Sequence, residues 1–522
     1  MLDELLQNRL TSANDHPLRS DGDYVLYWMI AQRRLNYNIA LEYAIARAIE
    51  FERPLLVFEP LRVRYQWASD RIHRFIIEGM RDNANAAEKF GIAYYPYVEP
   101  KPGKGSPLLH RLAKRSCTVV TDEYPCFFLP TMIEAVKDRI PARLELVDGN
   151  SVLPLRSAEK TYTVAHSYRR YMQKNILDAL SRSPKASPLP CPALPCPAPV
   201  ESKTAKSKTA ESKKIVPSED LLVSNLVPKA ILDRWPVADF DNLLERNGIS
   251  KIPIDHDVVP SPVCPGGSVE ATRRMTEFLD KKLVHYDDDR NHPDEHATTG
   301  LSPHLHFGHI SAHEMVLRVL EKEDWSPEDA SAPNGKNHGF WNVSEPAEGF
   351  LDQVLTWREI GFNWSYKNPN TYDKLDSLPD WAKKSLEETS DDERPYLYSL
   401  EEFENAKTHD ELWNAAQREI VQTGMMHNYM RMLWGKKIFH WTRSAQEALD
   451  VMIHLNNKYG LDGRDPNSYC GILWVLGRTD RAWGPQRPVF GKVRYMTSDS
   501  TRKKLRLGEY LERFSEKGGK LG

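Results

Sequence analysis

The chain has 522 residues, 40% hydrophobic and 27% charged, enough for two globular domains and a connector. A formal net charge of −3 gives no general attraction to polyanions. No apolar run approaches the roughly 18–20 residues of a membrane helix, so the sequence predicts no membrane partner.

The opening stretch MLDELLQNRLTSANDHPLRSDGD has early acids and no apolar core, so it reads as a tail over 1–22 and not as a secretory signal. Six scattered cysteines (Cys117, Cys126, Cys191, Cys196, Cys264, Cys470) form no C-x-x-C pair. That argues against a disulfide frame and structural zinc, fits a reducing compartment, and leaves no metal expected.

From residue 23 to about 160, apolar runs alternate with amphipathic stretches. DYVLYWM (23–29), RPLLVFEP (53–60), IAYYPYV (92–98), CTVVTD (117–122) and ARLELVD (142–148) read as buried strands. NIALEYAIARAIEFE (38–52) and RIHRFIIEGMRDNANAAEKFG (71–91) read as helices. The pattern predicts a doubly wound parallel, Rossmann-like sheet whose ligand lies beyond the strands' carboxyl ends, at the topological switch. Neither G-x-G-x-x-G nor a Walker loop is present, so any ligand there is held otherwise.

Residues 161–268 read as an interdomain linker. Within it, about 181–214, proline gives way to lysine-rich repeats of S-K-T-A, a composition that buries too little apolar surface to order itself. From 269 to 522 the chain predicts an all-α domain, with helices at 269–286, 309–323, 346–366 and across 413–441, the last broken near Gly424.

Three patterns in this half point to chemistry. TTGLSPHLHFGHIS (298–311) sets Thr298, Thr299, Gly300 and Ser302 before a helix with Pro303 at its start, either an ordinary cap or an anion site. LNNKYGLDGRDPNSYCGILW (455–474) crowds Asp462, Arg464, Asp465 and Asn467 into a turn, with Arg431 a plausible partner. Between Arg478 and Arg506, nine Lys or Arg face two Asp, interleaved with Trp483, Phe490 and Tyr495, a mixture suited to phosphates and stacked bases. Nine of thirteen tryptophans fall between Trp341 and Trp483, so aromatic chemistry belongs to this half.

LSPHLHFGHIS, LDGRDPNSY, RPVFGKVRYM and LWNAAQREIVQTGMMHNYMRMLWGKKIFHW together resemble the class II cyclobutane pyrimidine dimer photolyases of the photolyase/cryptochrome family. The resemblance implies an FAD-dependent, light-driven lyase that repairs UV-damaged DNA. It would be a monomer in the cytoplasm or, in a eukaryote, the nucleus. FAD contacts would come from Tyr286, Thr298, Thr299, Gly300, Leu301, Ser302, Arg464 and the Arg431–Asp462 pair. Asn456 would face the flavin ring, and Arg290 would support the lesion pocket from behind. Trp357 and Trp474 would pack on the flipped lesion beside Met432, and Arg481, Trp483 and Arg494 would enter the vacated duplex.

Trp434, Trp413 and Trp441 match a tryptophan chain that recharges the flavin, in that order outward. Trp434 and Trp441, seven residues apart, share a helix face. The N-terminal domain resembles an antenna domain, which would hold 8-hydroxy-deazaflavin or methenyl-tetrahydrofolate. One position departs from the family: Gln353 stands where a glutamate usually precedes the first lesion tryptophan by four residues. That departure keeps open an alternative, a cryptochrome-like blue-light receptor with little repair.

Overall fold

The computed structural model describes residues 6, 8–187 and 222–516. The Pro/Lys-rich insertion from 188 onward therefore lies outside the described residues. The N-terminal sheet has the order β1-β6-β5-β2-β3-β4. Its strands are β1 (Leu10–Ser12), β2 (Tyr24–Trp28), β3 (Leu55–Leu61), β4 (Ala93–Val98), β5 (Ser116–Glu123) and β6 (Leu144–Asp148). The five strands expected from sequence are present and mutually parallel.

β1 is the correction: it lies in the expected tail and pairs antiparallel with β6, making the sheet mixed. Three residues carry too little periodicity to announce a strand. What fixes it is Arg9, buried beside it, which donates to the Ser151 and Val152 carbonyls at 3.1 and 2.6 Å.

The Ile39–Glu50 helix starts at Asn38, whose side chain accepts from the Leu41 N–H. The Asp70–Phe90 helix starts at Ser69 and ends on Gly91 at φ 65°, a left-handed cap that glycine adopts without penalty. Alternate side chains fill two cores. Val25, Tyr27 and Val57 pack with Ile39 and Ile45 on one face; Leu26, Phe58 and Tyr95 pack with Leu108 and Leu112 on the other.

The segment expected as linker is drawn into both bodies. Leu226, Ile231 and Trp235 complete the second face of the sheet. The Ala165–Ser181 helix sends Tyr168, Met172 and Ile176, spaced by four, into the helical core with Met315, Val316 and Trp341.

Two helices expected to be continuous are interrupted. Ser268–Glu277 runs into a π turn at Phe278–Lys282, and Glu345–Asp352 into another at Gln353–Trp357 before Arg358–Lys367 resumes. A π turn absorbs one extra residue and rotates the faces on either side, a feature common at functional sites. Register beyond the second turn is set by a close crossing: a Cβ on Gly361 would stand 2.7 Å from Asn467 Cα in the Pro466–Val475 helix.

Gly424, at φ 75°, ends the Glu411–Thr423 helix before Asn428–Trp441 begins, as expected. Arg71 joins the two halves of the molecule. Buried in the sheet domain, it donates to the Ile420, Val421 and Tyr459 carbonyls at 3.0, 2.7 and 2.7 Å, at the C-terminal ends of two helices.

Candidate active site

The stretches around Arg290 and Ser302 meet those around Arg431 and Asp462, more than a hundred residues on, in the helical body. Arg431 donates to both oxygens of Asp462 at 2.9 and 3.1 Å, and Ser302 Oγ donates to Asp462 at 2.8 Å. His427, at the start of the Asn428–Trp441 helix, lies 3.0 Å from the Arg290 carbonyl through Nε2. Burial pushes its pKa down to about 4, so the imidazole is neutral, Nε2–H donates, and the buried Nδ1 keeps its lone pair. Arg290 lies over the Tyr286 ring at 5.6 Å. Burial raises the Tyr286 hydroxyl to about 12, so it remains protonated.

Asn456 is buried. Its amide donates to Ser468 Oγ at 2.8 Å, while its Oδ1 has no partner among the described residues. Arg431 Nε and Arg290 Nε are likewise buried without partners. Buried polar atoms left open carry a cost that a bound polar ligand removes.

One expectation of local geometry changes here. Thr298, Thr299 and Ser302 do not cap an anion-binding helix: Ser302–His306 is five residues long, its cap residue is Leu301, and Thr299 Oγ1 accepts from the Leu301 N–H. Positive charge comes instead from Arg274, whose Nη1 would be 2.9 Å from a Cβ on Gly300. Arg464 is buried. Its guanidinium donates to the Asn457, Gly460 and Leu461 carbonyls, bracing the loop that carries Asp462.

The second π turn carries Gln353 and Trp357. Both are half-buried, on a segment whose Val354, Leu355 and Thr356 are buried. The Trp357 ring has no aromatic partner among the described residues. Met432 is half-buried on the Asn428–Trp441 helix.

Around Trp474 the charges gather. The chain from Trp483 to Lys492 folds back on itself, with the Trp483 N–H donating to the Lys492 carbonyl at 2.8 Å. That turn places Arg494 4.2 Å over the Trp483 ring and 5.5 Å over Trp474, while Arg481 lies 4.6 Å over Trp483. Asp480 holds Arg494 at 3.0 Å and accepts from the Trp483 indole at 3.2 Å.

Not all of the basic stretch faces outward. Phe490 is buried against Phe439 at 5.2 Å, and Arg478 is buried, donating to the Ser377 carbonyl. Neither can stack a base or neutralise a phosphate.

Sequence reading missed Lys436. It is fully buried, donates to the Val475 carbonyl at 2.7 Å, and sits 4.7 Å over Trp474. Burial drives its pKa down to about 7. A lysine amid KKIF gives no sign of which face it takes.

Trp413, Trp434 and Trp441 are buried together. The Trp413 indole donates to the Trp434 carbonyl at 3.0 Å, and its ring meets Trp441 edge to face at 6.0 Å. The Trp434 indole donates to buried Gln417 at 2.9 Å. Trp413 thus touches both others, the Trp434 backbone through its indole N–H and Trp441 ring to ring.

In the sheet domain the strand order reverses between β2 and β5. Asp122 at the end of β5 accepts the Ile30, Ala31 and Gln32 N–H groups at 2.8, 2.7 and 3.0 Å and shapes the loop after β2. A cavity of about 250 Å³ opens at this switch, lined by Arg33, Arg62, Tyr65, Tyr124, Phe128 and, from the helical body, His306. The expected ligand position of an open α/β sheet is therefore a cavity in this one.

A doubly wound α/β domain joined to a helical body is the architecture of photolyases. Superposition on a bacterial class III photolyase from Agrobacterium tumefaciens gives a TM-score of 0.59 at 17% identity, covering 94% of this chain and 86% of that one. The chain is 31% identical to the deoxyribodipyrimidine photo-lyase of Methanothermobacter thermautotrophicus, over 97% of each. It is 31% identical to that of Arabidopsis thaliana, over 95% of this chain and 89% of the relative. No protein-family model matches it. The chain belongs to the deoxyribodipyrimidine photo-lyase family.

Proposed function

We propose that this protein is a class II photolyase that uses reduced FAD and light to split cyclobutane pyrimidine dimers in DNA. The observation that carries the FAD reading is the convergence of 286–290, 298–302, 427–431 and 456–462 around polar atoms left open. FAD, once bound and reduced, supplies the electron that light sends to the lesion.

The remaining duties fall to the chain. Asn456 offers Oδ1 to a ring N–H, and the Arg431–Asp462 pair sets a fixed dipole beside it, in a site where fixed dipoles act more strongly than in water. Extrusion of a damaged base step costs a few kcal/mol, less than for a sound pair because stacking is already weakened. Trp357, half-buried, and Trp474, with Lys436 and Arg494 over its ring, supply the stacking surface that offsets it. Arg481, Trp483 and Arg494 fill the gap in the duplex. Gln353 hydrogen-bonds the lesion but brings neither a proton nor a carboxylate, so repair proceeds at reduced yield. The switch-point cavity accepts an antenna pigment, a deazaflavin or a folate.

A UV-damaged oligonucleotide, incubated with flavin-loaded protein in light and in darkness, tests this reading. Return of pyrimidine absorbance in light alone supports it, with a higher yield in Gln353→Glu. Intact dimers after illumination favour the receptor alternative that Gln353 raises.

A further inference from the structure

Two basic groups share the Trp474 ring, and their surroundings differ. Lys436 lies 4.7 Å from the ring centre, fully buried on the Asn428–Trp441 helix. Its Nζ donates to the Val475 carbonyl at 2.7 Å, and among the described residues no carboxylate pairs with it. Arg494 lies 5.5 Å from the same ring, with a side chain 39% exposed. Asp480, 8% exposed, holds it at 3.0 Å.

An ammonium buried without a carboxylate is costly, and the group sheds its charge instead. Asp480 and Arg494 are the charges that face Lys436, the first favouring its proton and the second opposing it. Neighbouring cations turn elsewhere: Lys437 to Asp410 and the Trp441 ring, Arg478 to the Ser377 carbonyl. His440, one turn on, packs on Phe490 and Tyr495 and is neutral, its pKa lowered by burial to about 4. With its own pKa at about 7, Lys436 is mostly uncharged in the free protein at about pH 8.

The proposed function sends Arg494 into the duplex, where phosphates compete for its guanidinium. That departure removes the charge opposing a proton on Lys436 and leaves Asp480 without its partner. Resting on that reading, we propose that Lys436 and Arg494 exchange the cation at Trp474: as Arg494 moves to the DNA, Lys436 binds one proton from solvent. The lone pair of the neutral Nζ takes the proton, and the hydrogen bond to Val475 is kept. The ring thereby retains a cation against it while the lesion is seated. Gln353 brings no charge to that pocket, and Lys436 supplies one only when DNA is bound. Lys436 is a positioning residue in this scheme, acting through Trp474.

Titration calorimetry of flavin-loaded protein with a thymine-dimer duplex, in darkness at about pH 8, counts the proton. In buffers of differing ionisation enthalpy, the change in binding heat gives the number taken up. The exchange predicts close to one proton per complex in the unaltered protein. Because the bound state holds the extra proton, affinity should fall as pH rises above about 7, by up to about tenfold per unit. Lys436→Met has no group to protonate and should lose the uptake. Arg494→Met should lose most of it, because Lys436 is then charged before DNA arrives. Lesion binding without uptake in the unaltered protein overturns the exchange and leaves the photolyase reading standing. Uptake that persists in Lys436→Met, or that stays whole in Arg494→Met, overturns the exchange as well. Equal affinity for damaged and undamaged duplexes overturns both the exchange and the reading beneath it.

Discussion

Two sets of tryptophans occupy the helical body, and their surroundings differ. Trp413, Trp434 and Trp441 are fully enclosed, and the indole N–H groups of the first two are satisfied by protein acceptors. Trp357, Trp474 and Trp483 are half-buried, and the last two lie under Arg494, with Lys436 or Arg481 beside them. Enclosed rings hold fixed distances and exclude water, which suits electron passage. Half-buried rings keep part of their surface for a flat ligand. The residue type is the same, and in the proposed function burial would divide the duties.

The division breaks most visibly in stability. Trp413→Ala should cost about 3–5 kcal/mol, the range for emptying a large aromatic site in a core. Trp357→Ala should cost less than about 1 kcal/mol, because the ring is already partly in water. Urea unfolding of both variants checks the contrast, and equal losses would erase it.

Binding reverses the order. Trp357→Ala should weaken affinity for lesion-bearing DNA by roughly 10–100-fold, the worth of one base–aromatic stack of about 1–3 kcal/mol. Undamaged DNA should bind as before. Titration of both duplexes at one salt concentration measures it.

Lys436 sharpens the boundary between the two sets, since it follows Trp434 in sequence and underlies Trp474 in space. Its folded pKa of about 7 lies below the ordinary lysine value. Between those values the unfolded chain binds a proton that the folded chain does not, so this group makes stability rise with pH. Below about pH 7 both states are protonated and the slope ends. Lys436→Met should remove that slope and raise the melting temperature most at the acid side. Melting temperatures across the window, read against the unaltered protein, give the answer.

The smallest effect belongs to the rim. Arg481→Ala should lower the salt-dependence slope of DNA binding by about 0.9, one phosphate contact, whether or not the DNA is damaged. A loss confined to damaged DNA would move Arg481 from the backbone to the lesion.

Strand–helix alternation in the first 160 residues was legible because buried parallel strands are continuous apolar runs. The Gly424 break was legible because glycine marks helix ends. β1 was not, since a three-residue edge strand depends on a distant arginine. The π turn at Gln353–Trp357 was not, because it arises from two helix faces whose registers are set elsewhere, one by the Gly361–Asn467 crossing.

At the site, the resemblance paired Arg431 with Asp462, and the two are hydrogen-bonded in space. Burial was invisible: nothing in RPVFGKVRYM says that Phe490 turns inward while Arg494 turns outward. Nor could spacing tell that Arg464 spends its donors on carbonyls, or that His427 keeps a free lone pair. Those facts follow from tertiary packing.

The division of duties is tested most directly by the repair yield of Trp434→Phe after chemical reduction of its flavin. The account predicts a yield close to that of the unaltered protein, with light-driven flavin reduction lost. A fall in repair as large as that of Trp357→Ala would contradict it, because the enclosed ring would then be serving the lesion as well.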